Sequence, residues 1–378
     1  MIHVELVAAD DPRVAAIWCA LEPRGPASAF LAWGWIETWL ALLPPCARPV
    51  LAVLHHGDAP VAAAFFGRRR VTRHQVVTSR SWFLQGTGVP RFDELCVEHV
   101  GAVGDPDALG ALLERLPPTW DEVVLAGVEC EAVAALAGFR VHVDREIAAP
   151  FVDLARVREA PGGYLSLLGS STRAQIRRAR RELGELAVEV ATDPAHAADI
   201  YDELARLHVA RWRAAGQPGA FSDTWFDGFH RRLIADRLAS GEVQLVRVRA
   251  GGRTIGCLYN LVHRGRVAFY QSGLAELRGP HDKPGLVCHA AAIEHAACAG
   301  HDVYDFLAGE ARYKRNLSTD VTHLVWARIQ RPLARFAIEN WLQERAARLP
   351  RPRGTPAATL AEPRSAPCSV SAATSSSA

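Results

Sequence analysis

Lysine is nearly missing from this chain: of 43 basic residues only Lys283 and Lys314 are lysines, and methionine occurs once. A GC-rich coding bias toward arginine is the plain cause of that scarcity, and a need for the ammonium at the two sites is the other. Positions that keep a compact, rotatable ammonium therefore stand out from those that need only positive charge, because the planar arginine fork does not replace it. Net charge is scarce too: 43 basic against 41 acidic residues leave +2. That excess is too small to displace the counterions of a nucleic acid, which argues against a DNA partner. The eight cysteines include no C-x-x-C pair, the pattern of reduced thiols in a cytoplasmic protein and not of a disulfide framework or zinc site. The opening residues Met1 to Leu6 show no basic n-region and no apolar h-region, so no signal peptide is expected. The strongest early apolar stretch, Phe30 to Pro44, is too short for a bilayer and carries Glu37, so no membrane insertion is expected. There is no Gly-x-Ser-x-Gly elbow, Walker loop or zinc-protease motif.

What is present reads as a mixed α/β chain of two lobes. The first, 1–150, runs strand, helix, helix, hairpin. Its aromatics Phe30, Trp33, Trp35 and Trp39 are spaced for a helix buried on one side, and His56-Gly57-Asp58 separates two apolar runs as a hairpin turn. Helix and strand then alternate from Asp107 to Val143. The second lobe, 151–330, has helices over 163–169 and 171–183, the latter capped by Ser170-Ser171-Thr172. A strand at 187–191 and a long helix from Pro194 to Ala215 follow, then another helix over 223–239. Three strand-like runs (243–249, 254–263, 266–272) are separated by Ala250-Gly251-Gly252 and Arg264-Gly265, hence an antiparallel meander. A helix from Pro284 to Ala299 and strands near 303–306 and 321–328 complete it. Residues 331–348 read as a C-terminal amphipathic helix, and 349–378, rich in Pro, Ala, Ser and Thr, as a disordered tail.

Three ordered motifs resemble the CelD/BioF-like group of GNAT acetyltransferases. These are Leu207-His208 with Arg211-Trp212, Gly216 and Gly219-Ala220-Phe221; Pro284-Gly285 opening a helix; and Tyr304-Asp305-Phe306-Leu307-Ala308-Gly309-Glu310 followed by Tyr313-Lys314. The Trp33 to Trp39 helix and its hairpin match that group's first lobe, so the resemblance covers nearly all the chain except the tail. It implies two GNAT-like lobes, each a mixed, mostly antiparallel sheet flanked by helices, in a bacterial acyltransferase. The co-substrate implied is an acyl-CoA such as acetyl-CoA, and the acceptor an amino sugar, polysaccharide precursor or related small molecule. The group is related to the Fem-type peptidyltransferases, so aminoacyl-tRNA is the alternative donor. A non-catalytic GNAT-fold binding protein is a further alternative, which predicts that the Asp305 to Lys314 segment faces solvent.

Acyl transfer must deprotonate an amine, stabilise an oxyanion and hold the donor's phosphates. For the phosphates, the loop from Leu277 to Gly285 leads into a helix N-terminus, with Arg278, Lys283 and Gly285 as ligands; it lacks the usual Q/R-x-x-G-x-G/A spacing. Arg173, Arg177, Arg178, Arg180 and Arg181 form a second basic site, with Arg173 and Arg177 as anion ligands and a solvated helix face as the plain alternative. The catalytic candidates are Lys314, Asp305, Glu310 and Tyr313. A carboxylate of raised pKa would take the proton, and Lys314 would stabilise the oxyanion or bind an acidic acceptor. On that reading Lys314→Arg abolishes turnover and leaves the melting temperature nearly unchanged. His208, Trp212, Phe221 and Tyr270 are the substrate-binding candidates. His295, Cys298 and His301 are metal-like in type, but Gly300 interrupts the helix before His301, so no metal is expected.

Overall fold

The structure is a computed structural model that describes residues 1–73, 77–105, 107–276, 279 and 282–348. The expected tail, 349–378, and Arg278 lie outside the described residues. In chain order the elements begin with β1 (Ile2–Ala8), α1 (Arg13–Leu21), α2 (Trp33–Leu42), β2 (Val50–His56), β3 (Ala59–Arg73) and β4 (Val77–Leu84). Next come α3 (Pro90–Asp93), β5 (Val103–Gly104), α4 (Ala108–Arg115), β6 (Glu122–Glu129), α5 (Cys130–Ala134) and β7 (Val141–Asp153). Then follow α6 (Leu154–Glu159), α7 (Ser170–Leu183), β8 (Leu186–Val190), α8 (Pro194–Ala214) and α9 (Thr224–Arg237). The chain continues through β9 (Val243–Ala250), β10 (Arg253–His263), β11 (Arg266–Leu274), α10 (Pro284–Cys298) and β12 (Val303–Asp305). It ends with α11 (Arg312–Leu317), β13 (Asp320–Gln330) and α12 (Ala334–Arg348).

The chain forms two compact units, one of 1–26, 43–147 and residues from 323 on, the other of 27–42 and 148–322. In the first, the strand order is β1-β2-β3-β4-β6-β13. β4 and β6 are parallel over Ser81↔Glu122 to Phe83↔Val124, and the other neighbours are antiparallel. Its core gathers Phe66, Trp82, Leu112, Leu113, Trp120, Val123 and Leu125. β4 is hard to read from sequence because its inward residues are polar: Ser79 and Ser81 are buried and each donates to Glu122 Oε1 at 2.7 Å.

The second unit repeats that plan, with order β8-β9-β10-β11-β12-β7. Its hairpins form where the sequence calls for φ > 0 at both turn residues. Gly251 (φ 53°) and Gly252 (φ 74°) make one such turn, and Arg264 (φ 46°) and Gly265 (φ 80°) the other. Asp193 and Asp223 cap α8 and α9 by accepting from His196 N, and from Trp225 N and Phe226 N. The expected Ser170-Ser171-Thr172 cap on α7 does not form. Ser170 is already helical, Gly169 holds the cap position, and no side chain caps the helix.

Two features depart from a contiguous reading of the lobes. The segment 27–42, with α2, belongs to the second unit, where Trp35 packs edge-on against Phe229 (4.8 Å) and Phe30 lies 6.2 Å from Tyr270. The last strand of each unit comes from sequence beside the other, since β7 pairs with β12 through residues 151–153 and β13 with β6 through 324–330. α8 seats on β11 at Gly273, where a Cβ would meet Leu204 O at 2.3 Å. Only glycine admits the helix backbone that close.

Candidate functional site

The site is set by where β11 and β12 part. They pair in parallel at Arg266↔Val303, Val267↔Tyr304 and Ala268↔Asp305, and the pairing stops there although β11 runs on to Leu274. The departing chain stays with β7: Phe306 N donates to Pro150 O and Gly309 N to Ala148 O, each at 3.0 Å. The turn away is locked by Asp305, whose Oδ1 accepts from Leu307 N at 2.8 Å, and by positive φ at Leu307 (59°) and Gly309 (143°). The two strands thus part as a wedge, β12 pairing with β11 no further than Ala268, and the N-terminus of α10 reaches the end of β11, where Gly285 lies against Leu274.

Asp305, expected as a general base, is fully buried, and its Oδ2 accepts from Arg266 Nη1 at 2.6 Å. Both oxygens are committed, one to an ion pair and one to the turn. Glu310 is exposed. Lys314, half-buried, donates to Leu307 O (3.2 Å) and Ala308 O (2.7 Å), and a Cβ on Gly309 would lie 3.0 Å from its Nζ. The ammonium clamps the turn that opens the wedge. Lys314→Met should therefore lower stability by roughly 2–3 kcal/mol, the scale of hydrogen bonds to a charged group. Lys314→Arg should also lower the melting temperature, because the wider fork meets Gly309. An unchanged melting curve with turnover abolished would restore a purely chemical role.

Tyr313 is half-buried and stacks on His289 at 5.5 Å with an interplanar angle of 19°. His289, on α10, lies edge-on to Phe269 (4.5 Å) and Phe306 (5.2 Å), and its Nδ1 is 3.1 Å from Tyr304 Oη. Burial, helped by the charge of Lys314, pushes its pKa down to about 3. The sequence reading passed over His289. The one signal available was a lone imidazole within the apolar run Val287-Cys288-His289-Ala290.

On the other side of the sheet, α8 supplies His208. This residue is buried, and its ring lies 4.8 Å from Phe221 and 5.7 Å from Trp212. Its Nδ1 is 3.1 Å from Ser272 O. A carbonyl only accepts, so Nδ1 carries the proton and Nε2 the lone pair. That Nε2 is buried with no hydrogen-bond partner among the described residues. Burial lowers the pKa to about 4, so the ring is neutral at physiological pH. Phe221 is buried and Trp212 half-buried. Tyr270 is buried, 7% exposed, and its hydroxyl is held at 3.1 Å by His230 Nε2. His230 Nδ1 is 3.1 Å from Tyr259 Oη, and burial drives this histidine to about 3.

Of the phosphate candidates, Lys283 is exposed at the N-cap of α10 and Gly285 sits in its first turn, where a Cβ would meet Leu274 at 3.1 Å. No side chain caps this helix. On α7 the arginines divide. Arg180 forks onto Glu294 (3.2 and 2.8 Å) and Arg178 pairs with Glu182 (3.0 Å). Arg173 reaches Ser166 O at 3.4 Å, and Arg177 and Arg181 are exposed. Among the described residues no group of three or more His, Cys, Asp or Glu is placed to hold a metal, and no helix is long and apolar enough to cross a membrane.

Residues 170–315 match the acetyltransferase (GNAT) domain family, a span that contains the meander, α10, β12 and Lys314. The chain thus carries the domain of a GNAT-type acyltransferase. No curated protein matches it. Among solved structures, FemX is similar with a TM-score of 0.55 and 10% identity, covering 90% of this chain and 100% of FemX. L-PGS from Bacillus licheniformis is similar with a TM-score of 0.54 and 11% identity, covering 90% of this chain and 98% of L-PGS. A conserved protein of unknown function from Bacteroides thetaiotaomicron gives 0.51 and 14%, covering 87% of this chain and 100% of that one. At these identities the likeness is one of fold.

Proposed function

We propose that this protein moves an acyl group, acetyl foremost, directly from a coenzyme A thioester to the amine or hydroxyl of an amino sugar, polysaccharide precursor or related small molecule. The observation that carries this reading is the wedge: three residues of parallel pairing, after which β12 leaves β11, beside a helix N-terminus that no side chain caps. The donor's phosphates would meet the free N–H groups of the first turn of α10, with Lys283 as counter-charge and Gly285 allowing close approach. Arg173 and Arg177 are the second candidates for a phosphate. The thioester carbonyl would lie beside residues 269–272 of β11, past the last pair with β12, where peptide N–H groups would stabilise its oxyanion.

The acceptor's nucleophile attacks that carbonyl, its proton passes to a base, and the thiolate leaves. With Asp305 committed to Arg266, the lone pair of His208 Nε2 is the better-placed base on this reading, and Glu310 the exposed alternative. Lys314 and Tyr313 shape the far wall. A cytoplasmic setting fits the reduced-thiol pattern. The burial of Asp305 and the half-burial of Lys314 favour a catalytic segment over a silent shell. Exposed Arg177 and Arg181 are the observation in favour of an aminoacyl-tRNA donor.

Thermal shift separates the donors. With acetyl-CoA at about 100 times its dissociation constant, linkage raises stability by about 2.7 kcal/mol, a melting shift of several degrees that Lys283→Glu should reduce. No shift with any thioester, together with retention of charged tRNA, would overturn the coenzyme A reading.

A further inference from the structure

The C-terminal helix α12 is turned inside out relative to the usual amphipathic rule. It buries Phe336, Glu339 and Asn340. Glu339 accepts from Arg73 at 2.8 and 2.9 Å, and Asn340 donates to Gln330 at 3.0 Å. The opposite side leaves Ile338 59%, Trp341 52% and Leu342 54% exposed. These positions and Arg345 follow the i, i+3, i+4, i+7 spacing of one helical stripe. The Arg345 guanidinium lies 4.7 Å from the Trp341 ring centre. A polar network thus fixes the helix from behind while its apolar stripe faces outward.

We propose that this face of α12 docks on an anionic lipid surface. The sequence from Trp341 to Arg353 carries Arg345, Arg348, Arg351 and Arg353 against the single acid Glu344. Outward Ile, Trp and Leu on one stripe with Arg345, in a stretch of sequence rich in arginine, is the pattern of a helix lying in the headgroup region. There tryptophan takes the interface and arginine reaches the phosphates over its own apolar stem. A second copy fits the same face poorly. Three half-exposed side chains offer on the order of 300 Å², against about 800 Å² per partner in a stable interface. A two-fold contact would also bring the two Arg345 side chains toward each other. An apolar stripe this short binds a bilayer only marginally by itself, so the attraction should depend on anionic lipid and weaken with salt.

The test is co-sedimentation of the full chain with vesicles of phosphatidylcholine alone and of equal parts phosphatidylglycerol and phosphatidylcholine. The expected result is at least about tenfold more protein on the anionic vesicles, lost at high salt. Leu342→Asp should abolish that binding with little change in the melting temperature, since the side chain is 54% exposed. Val143→Asp, at a residue 51% exposed on β7, should leave the binding intact. Equal binding to both vesicle types, or no loss with Leu342→Asp, overturns the proposal. A concentration-dependent dimer abolished by Leu342→Asp would overturn it in favour of self-association.

Discussion

His208→Gln should slow acyl transfer by about 10²–10⁴-fold, the range that removal of a positioned general base produces, with little change in the KM for the thioester. The expectation follows from one tautomer. Because Nδ1–H donates to Ser272 O, Nε2 is left buried with a lone pair and no partner among the described residues. A buried acceptor left unpaired costs free energy, and an acceptor N–H or O–H would satisfy it. The base must be neutral to act. Its pKa of about 4 keeps it so throughout the physiological range, and its contribution is lost only as pH falls through about 4. Glutamine retains an amide that can donate to Ser272 O, so the variant should melt near the parent. A rate within about tenfold of the parent, at equal stability, would remove His208 from the chemistry and return the base to Glu310.

The fold was legible in sequence wherever local chemistry decides it. Gly251-Gly252 and Arg264-Gly265 punctuate the meander because the hairpin needs positive φ there, and Asp193-Pro194 opens α8 because both residues suit a helix start. The membership of α2 was not legible: Trp35 meets Phe229 and Phe30 meets Tyr270 only through tertiary packing, across a sequence gap that no periodicity reports. The site divides in the same way. Motif order put Asp305 and Lys314 at its centre, but their residue types say nothing of where the charges point. In the fold, Asp305 faces Arg266, and Lys314 faces the carbonyls of Leu307 and Ala308. Rarity marked Lys314 as a position needing an ammonium. The need is at least partly geometric, since a compact group must fit against Gly309. His289 offered only its place in the apolar run Val287 to Ala290, and nothing local separates a buried His230 from an exposed histidine.

Those histidines carry the second large prediction, that the protein unfolds in mild acid. Burial holds His208 at about 4 and His230 and His289 at about 3, whereas an unfolded histidine titrates near 6.5. Below about pH 6.5 the unfolded chain therefore takes up protons that the folded chain refuses, and stability falls as pH falls. The stabilisation is fully present above the unfolded pKa and is lost progressively down to the folded values. Each group contributes up to about 1.4 kcal/mol per pH unit within that window, so the three together approach 4 kcal/mol per unit. Against a total stability on the order of 5–15 kcal/mol, the loss over about three units of acidification, about 12 kcal/mol, unfolds the chain for all but the upper end of that range. His263, also lowered to about 4 by burial, acts in the same direction. Urea unfolding at about pH 7.5 and about pH 5.5 should show a steep drop in midpoint. In a His230→Gln, His289→Gln double variant, less stable at the higher pH, the dependence should flatten because two of the four titrating groups are gone. A parent midpoint that stays level across this range would mean that these imidazoles accept protons in the folded state, and the neutral tautomer assigned to His208 would need to be measured directly.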